Sequence, residues 1–278
     1  MEGKQTFLRG QPTEIRKKKS GNWLAWLNLF GFLGMVAVNY LANALPLNNL
    51  NTGQLSDKYP NLFVPAGFTF SIWGVIYLLL AVFIFFSLKQ VITGREVFPA
   101  FKRLGILFSL TCLANAAWIF AWHYEKLILS LLVMLTLLTL LIIIYQRLDR
   151  RPYDERHRDK FPAKFPFSIY LAWISVATVA NATAVLVGLH WNRFGLSEQF
   201  WTVLLLAVVL ILTIIFIFKK KDFLFALTIF WALLGILYKR IQDTASADRA
   251  VEISVLVSVA IIFLILILRV SHLIKARQ

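Results

Sequence analysis

The chain has 278 residues, 59% of them hydrophobic and 15% charged, with a formal net charge of +15 and a mean hydropathy of +0.71. That composition excludes a soluble globular protein. The basic residues sit in gaps between long uncharged runs, so they read as topology and headgroup signals, not as a nucleic-acid surface, and the single Cys112 excludes a disulfide framework within the chain.

Residues 1–22 are polar and end in Arg16-Lys17-Lys18-Lys19, which predicts a basic cytoplasmic tail touching anionic lipid. The first apolar run covers 23–45 and opens with Trp23 and Trp26. Ala42-Asn43-Ala44 resembles a signal-peptidase site, but the run far exceeds a signal core of about 7–15 residues, so a retained helix is expected. The gap at 46–67 holds Pro46, Gly53, Pro60 and Pro65 with many amides; a polar loop of this length predicts a lid or binding segment.

The second span is read over 68–88, with Phe70, Trp73 and Tyr77 within about 60° of one another on a helix. The third is placed at 104–122 and carries Asn115, Trp118 and Trp122 on one face. The fourth, 127–146, is rich in Leu and Ile and reads as a packing or lipid-facing helix. Seven Lys and Arg crowd the next gap, 147–166.

The fifth span begins at Pro166 and ends near His190-Trp191. Tyr170, Trp173, Ala177, Asn181 and Ala184 fall within a wedge of about 80°, while Ala180, Ala184 and Gly188 repeat small residues at every fourth position. Two readings are open for this helix: a close-packed seam between helices, or one wall of a ligand cavity with flat rings and an orienting amide. Runs at 199–218, 223–238 and 253–270 follow, made of Leu, Ile, Val and Phe without a legible functional signal. The run at 223–238 is the short one: its 16 or so residues reach about 24 Å against a hydrocarbon core of about 30 Å.

Alternate gaps collect 23 Lys and Arg on one side and 6 on the other, which fits eight spans with both termini cytoplasmic. Trimmed to their hydrocarbon parts, the spans lack Asp, Glu, Lys and His. That argues against ion-coupled pumps and against intramembrane hydrolysis by a carboxylate pair or metal, so no catalytic or metal-ligating residues are assigned. His123 and His190 both fall at non-cytoplasmic helix ends, where interfacial histidine is commoner than metal or haem ligation. Aromatic faces on the second, third and fifth spans together favour the cavity reading, with Asn115 and Asn181 orienting a large, flat, apolar guest.

Those faces also carry a resemblance. Asn115-x-x-Trp118-x-x-x-Trp122 resembles the third-helix pattern of the tryptophan-rich sensory protein and translocator protein family (TspO/MBR). Tyr170-x-x-Trp173-x-x-x-Ala177-x-x-Ala180-Asn181 resembles its fifth-helix pattern, with Ala180 where Leu is usual. Pro65 with Phe70, Trp73 and Tyr77 resembles its second-helix opening, one residue shorter between Phe and Trp, and Pro166 stands four residues before Tyr170 instead of beside it. The match covers about 23–191.

The resemblance implies an all-α integral membrane protein with a five-helix bundle over 23–191, capped by the loop after the first helix; the three-helix extension over 199–274 lies outside the usual family plan. It implies binding of porphyrins and related hydrophobic molecules at Phe70, Trp73, Tyr77, Asn115, Trp118, Trp122, Tyr170, Trp173, Ala177 and Asn181. It further implies a sensory or regulatory role, often as a homodimer, in a bacterial cytoplasmic membrane. No cofactor is required by these residues, a tetrapyrrole being the implied ligand; membrane lipids are expected partners and nucleic acid is not. A carrier or lipid-handling protein is the second hypothesis, and an enzyme acting on bound pigment a third.

Overall fold

A computed structural model of the chain describes residues 22–45, 47–93, 100–150, 160–243 and 248–275. The basic tail expected at 1–22 lies outside the described residues up to residue 21. Among the described residues every regular element is helical, as expected where no water is present to bond an open backbone. In chain order these are α1 (Asn22–Ala44), α2 (Thr52–Asp57), α3 (Ile72–Thr93), α4 (Ala100–Leu104), α5 (Leu107–His123), α6 (Leu127–Asp149), α7 (Phe165–Gly188), α8 (Glu198–Ile215), α9 (Phe223–Gln242) and α10 (Arg249–Lys275). Seven of them are long and apolar enough to cross a membrane; α5 is apolar but shorter.

The short helix is therefore not where composition places it. The seventh apolar run continues through Lys239 and Arg240 to give α9 20 residues, about 30 Å. The third breaks instead: Gly105 takes a left-handed φ of +55°, splitting α4 from α5 and leaving α5 with 17 residues.

Packing closes a ring in the order α1, α5, α6, α7, α3 and back to α1, and α9 docks on the outside of α7 with α10 and α8 behind it. Position in this arrangement sets burial. Half of the apolar window of α7 and of α9 is buried, against 28% for the other five long helices. The fourth run behaves as read: α6 buries one stripe (Ser130, Met134, Leu137, Leu141, Ile144) and turns Thr136 and Thr139 outward, each hydroxyl donating to its own helix's carbonyl four residues back.

Lipid tails are as apolar as leucine, so close backbone approach and hydrogen bonds must hold such helices together. Both occur. A Cβ on Gly188 would lie 2.4 Å from Leu127 Cδ1, and one on Gly235 of α9 only 2.0 Å from Thr69 Oγ1. At the opposite end of α9, the buried Asp222 carboxylate accepts from Ser168 Oγ (2.7 Å), Tyr145 Oη (2.8 Å) and the Phe225 amide (3.2 Å). It thereby caps α9 and ties it to α6 and α7 in one contact.

Candidate functional site

The site is built beneath the loop that joins α1 to α3. The first half of this loop turns through Asn48, which adopts φ +57°, and then forms α2 behind an Asn51–Gln54 capping box. His123, the last residue of α5, is buried under it. Its Nδ1 faces the Leu47 carbonyl and its Nε2 the Thr52 hydroxyl, both at 3.1 Å. A carbonyl only accepts, so Nδ1 carries the proton and, in the neutral ring, Nε2 accepts from Thr52. Asn48 Nδ2 donates to the His123 carbonyl at 3.0 Å, and Trp122 Nε1 to the Thr52 carbonyl at 3.4 Å.

At the rim, Glu125 accepts from Lys58 and from Tyr59 Oη, each at 2.6 Å. These bonds, the lysine's first, hold the Glu125 carboxyl below its ordinary range. Burial, and then the adjacent carboxylate, push the Tyr59 phenol up to about 12.

The second half of the loop is held from the other side. The Leu62 amide donates to Glu198 Oε1 of α8 (2.9 Å), and the Ala66 amide to the Gly235 carbonyl of α9 (3.1 Å). Trp231 Nε1 donates to the Thr69 carbonyl (3.0 Å) and the Phe68 ring stands edge-on to Trp231 and Tyr238, while Lys239 crosses to Asp57 in the first half. These C-terminal partners carry no reading from sequence. Trp231 and Gly235 inside a Leu/Ile/Phe run, and Asp222 just before it, were the available signals.

Beneath the loop, rings from separate helices meet. Trp73 stacks on Tyr77 (5.5 Å between ring centres, 23° between planes) and meets Tyr170 and Trp173 edge-on at 5.7 and 6.4 Å. Phe70 stands edge-on to Trp173 at 5.8 Å. Trp118 and Trp122 form their own parallel pair on α5 (6.0 Å, 15°). Three buried polar atoms here have no hydrogen-bond partner among the described residues: Tyr77 Oη, Trp118 Nε1 and Trp173 Nε1. Each costs about 1–3 kcal/mol when left unbonded.

Both amides expected to face a guest are engaged with protein. Asn39 of α1 donates to Asn115 Oδ1 (2.7 Å), and Asn115 Nδ2 donates to Tyr170 Oη (3.0 Å), a relay across α1, α5 and α7. Asn181 donates to Ser130 Oγ of α6 at 3.0 Å. The fifth span therefore has two unlike edges. Its Asn181–Ala184–Gly188 edge is a seam against α6, and its Tyr170–Trp173 edge joins the aromatic cluster.

Two spaces flank the cluster. The inner one, about 30 Å³, touches Phe70, Trp122, Trp173, Ala177 and Asn181, room for a water but not for a polycyclic molecule. The outer one, about 550 Å³, is a cleft between α1 and α3 lined by Asn39, Asn43, Thr52, Phe70, Trp73 and Tyr77, within the usual range of about 300–1,000 Å³ for ligand pockets. Asn115, Trp118 and Tyr170 line neither; they are buried in the packing behind. Asn39, Asn43 and Thr52 were missed in the sequence, although Asn39, Tyr40 and Asn43 fall within little more than one turn of the first span. His123 and His190 do not converge: His123 is sealed under the loop, and His190 lines a separate cleft beside α8.

No curated protein and no solved structure matches the chain. At the level of families, the sequence profile described as TSPO-like protein matches residues 25–268, from the first turn of α1 through most of α10. The match takes in the aromatic faces of α3, α5 and α7 and the C-terminal helices that hold their cover, and on it the chain belongs to the TSPO-like protein family.

Proposed function

We propose that the protein is a membrane sensor or regulator that binds a hydrophobic polycyclic molecule, such as a porphyrin, in the cleft between α1 and α3. The observation that carries the reading is the stacked Trp73–Tyr77 pair on the wall of the 550 Å³ cleft. A flat ring system gains dispersion and stacking against that pair. Asn39 and Asn43 stand on the opposite wall, their Nδ2 groups donating to Met35, Asn115 and the Asn39 carbonyl. The ten residues nominated by sequence then divide: Phe70, Trp73 and Tyr77 touch the ligand, Tyr170 and Trp173 back those rings edge-on, and the other five stand behind.

A loop fastened on both sides supports a receptor over a carrier, whose cycle would have to break those bonds in every turnover. The accompanying topology is eight crossings, α5 included, in a cytoplasmic membrane with both termini on the basic side. Titration with protoporphyrin, followed by tryptophan fluorescence, tests the reading. Trp73→Ala is expected to weaken binding by about tenfold. Parent-like affinity in both Trp73→Ala and Tyr77→Ala overturns the assignment, as does accumulation of labelled porphyrin in proteoliposome counterflow.

A further inference from the structure

A second cleft, of about 440 Å³, lies away from the aromatic cluster, where the end of α7 meets the start of α8. Its walls include the indoles of Trp191 and Trp201, whose centres are 5.1 Å apart with planes at 56°, so that together they form an aromatic corner. Trp201 is fixed by its Nε1 donating to the Arg193 carbonyl at 3.0 Å, and Phe194 stands edge-on to Trp191 at 5.2 Å. Beside the corner are two opposite charges, Glu198 and Arg193, 3.4 Å apart and both lining the cleft. The rim runs into exposed apolar side chains, Leu186, Leu189 and Phe200 among them.

Tryptophans near helix ends are ordinary at a membrane surface, and taken singly these two would carry no information. What sets them apart is the cleft they enclose and the charges at its edge. An ammonium group is attracted to indole faces and to a carboxylate, and a phosphate to a guanidinium. The two attractions together ask for a molecule with both groups a few ångströms apart and an apolar tail for the exposed leucines.

We propose that this cleft is a binding site for the headgroup of a zwitterionic phospholipid, its ammonium in the Trp191–Trp201–Glu198 corner and its phosphate at Arg193. The site is separate from the α1–α3 cleft and does not depend on what occupies that one. It touches the same loop, however: Pro60 and Asn61 line it, and Glu198 holds the Leu62 amide.

The test uses the full-length protein in detergent, offered equal amounts of a phosphatidylcholine and a phosphatidylglycerol and read by native mass spectrometry. The parent is expected to retain the zwitterionic lipid preferentially. Trp201→Leu and Glu198→Gln are each expected to lower that retention by about fivefold, with phosphatidylglycerol unaffected. Glutamine keeps an oxygen for the Leu62 amide, and Trp201→Phe, which keeps a ring, is expected to retain most of the binding. Helical circular dichroism and a monodisperse elution profile serve as the folding control and should match the parent in all three. Equal retention of the two lipids by the parent overturns the proposal, as does parent-like retention in Trp201→Leu. Displacement of the lipid by soluble glycerophosphocholine at equal concentration overturns the lipid assignment in favour of a free solute.

Discussion

The two halves of the loop over the aromatic cluster are held by different physics. Residues 47–59 are fastened to the α5–α6 corner through side chains: His123, Asn48, Trp122 and Glu125 supply the bonds. Residues 60–71 are fastened to α8 and α9 largely through backbone amides and carbonyls, at a spot where a missing side chain lets two backbones nearly touch. The first kind of contact is specific to residue type and responds to pH. The second depends on shape and responds to volume. A loop clamped in both ways cannot be lifted from one side alone.

The sharpest way to break this contrast is to add volume on the α9 side. In Gly235→Ala the new Cβ would sit 2.0 Å from Thr69 Oγ1 and 2.9 Å from its Cγ2, and Thr69 is fully buried. A loss of about 2–3 kcal/mol is expected from overpacking. Adding Thr69→Ala, which removes both clashing atoms, should restore most of it; thermal unfolding of the single and double variants checks both.

On the other side, His123→Leu keeps the bulk but leaves the Leu47 carbonyl and the Thr52 hydroxyl without their ring nitrogens. A loss of about 2 kcal/mol is expected. Amide exchange should rise over 47–57 while 60–71 stays protected; a uniform rise across the loop would show that the halves are one unit.

The Glu125 corner should be a smaller, pH-dependent contribution. Because its carboxyl is held below the ordinary value of 4.5, its stabilisation is present above that value and fades as pH falls through the lowered one. The Tyr59 phenol, raised from 10.0 to about 12, keeps its bond at neutral pH and loses it as pH rises through 12. Glu125→Gln should therefore cost below about 1 kcal/mol at neutral pH and flatten the acid limb of loop protection. Smallest of all, Lys239→Ala should change stability by no more than about 0.5 kcal/mol, since its partner Asp57 is more than half exposed.

Sequence by itself determined the helical character, the approximate bounds of all eight apolar helices and the aromatic faces of α3, α5 and α7, because each rests on local spacing. Ten residues were nominated from those faces; the rings of α3 and α7 meet, whereas Trp118 and Trp122 of α5 pair with each other. Tertiary structure alone decided what the faces enclose. Asn115 and Asn181 look from sequence like groups awaiting a guest, but their nearest polar neighbours come from α1, α6 and α7, up to 76 residues away along the chain. The larger cleft depends on α1, whose Asn39, Tyr40 and Asn43 gain an opposite wall only when α3 packs beside them. The part played by 199–274 was invisible for the same reason. Gly235 looks like a weak spot in a helix until Thr69 is brought against it, and spacing along one helix carries no information about which distant residue will fill the gap beside it.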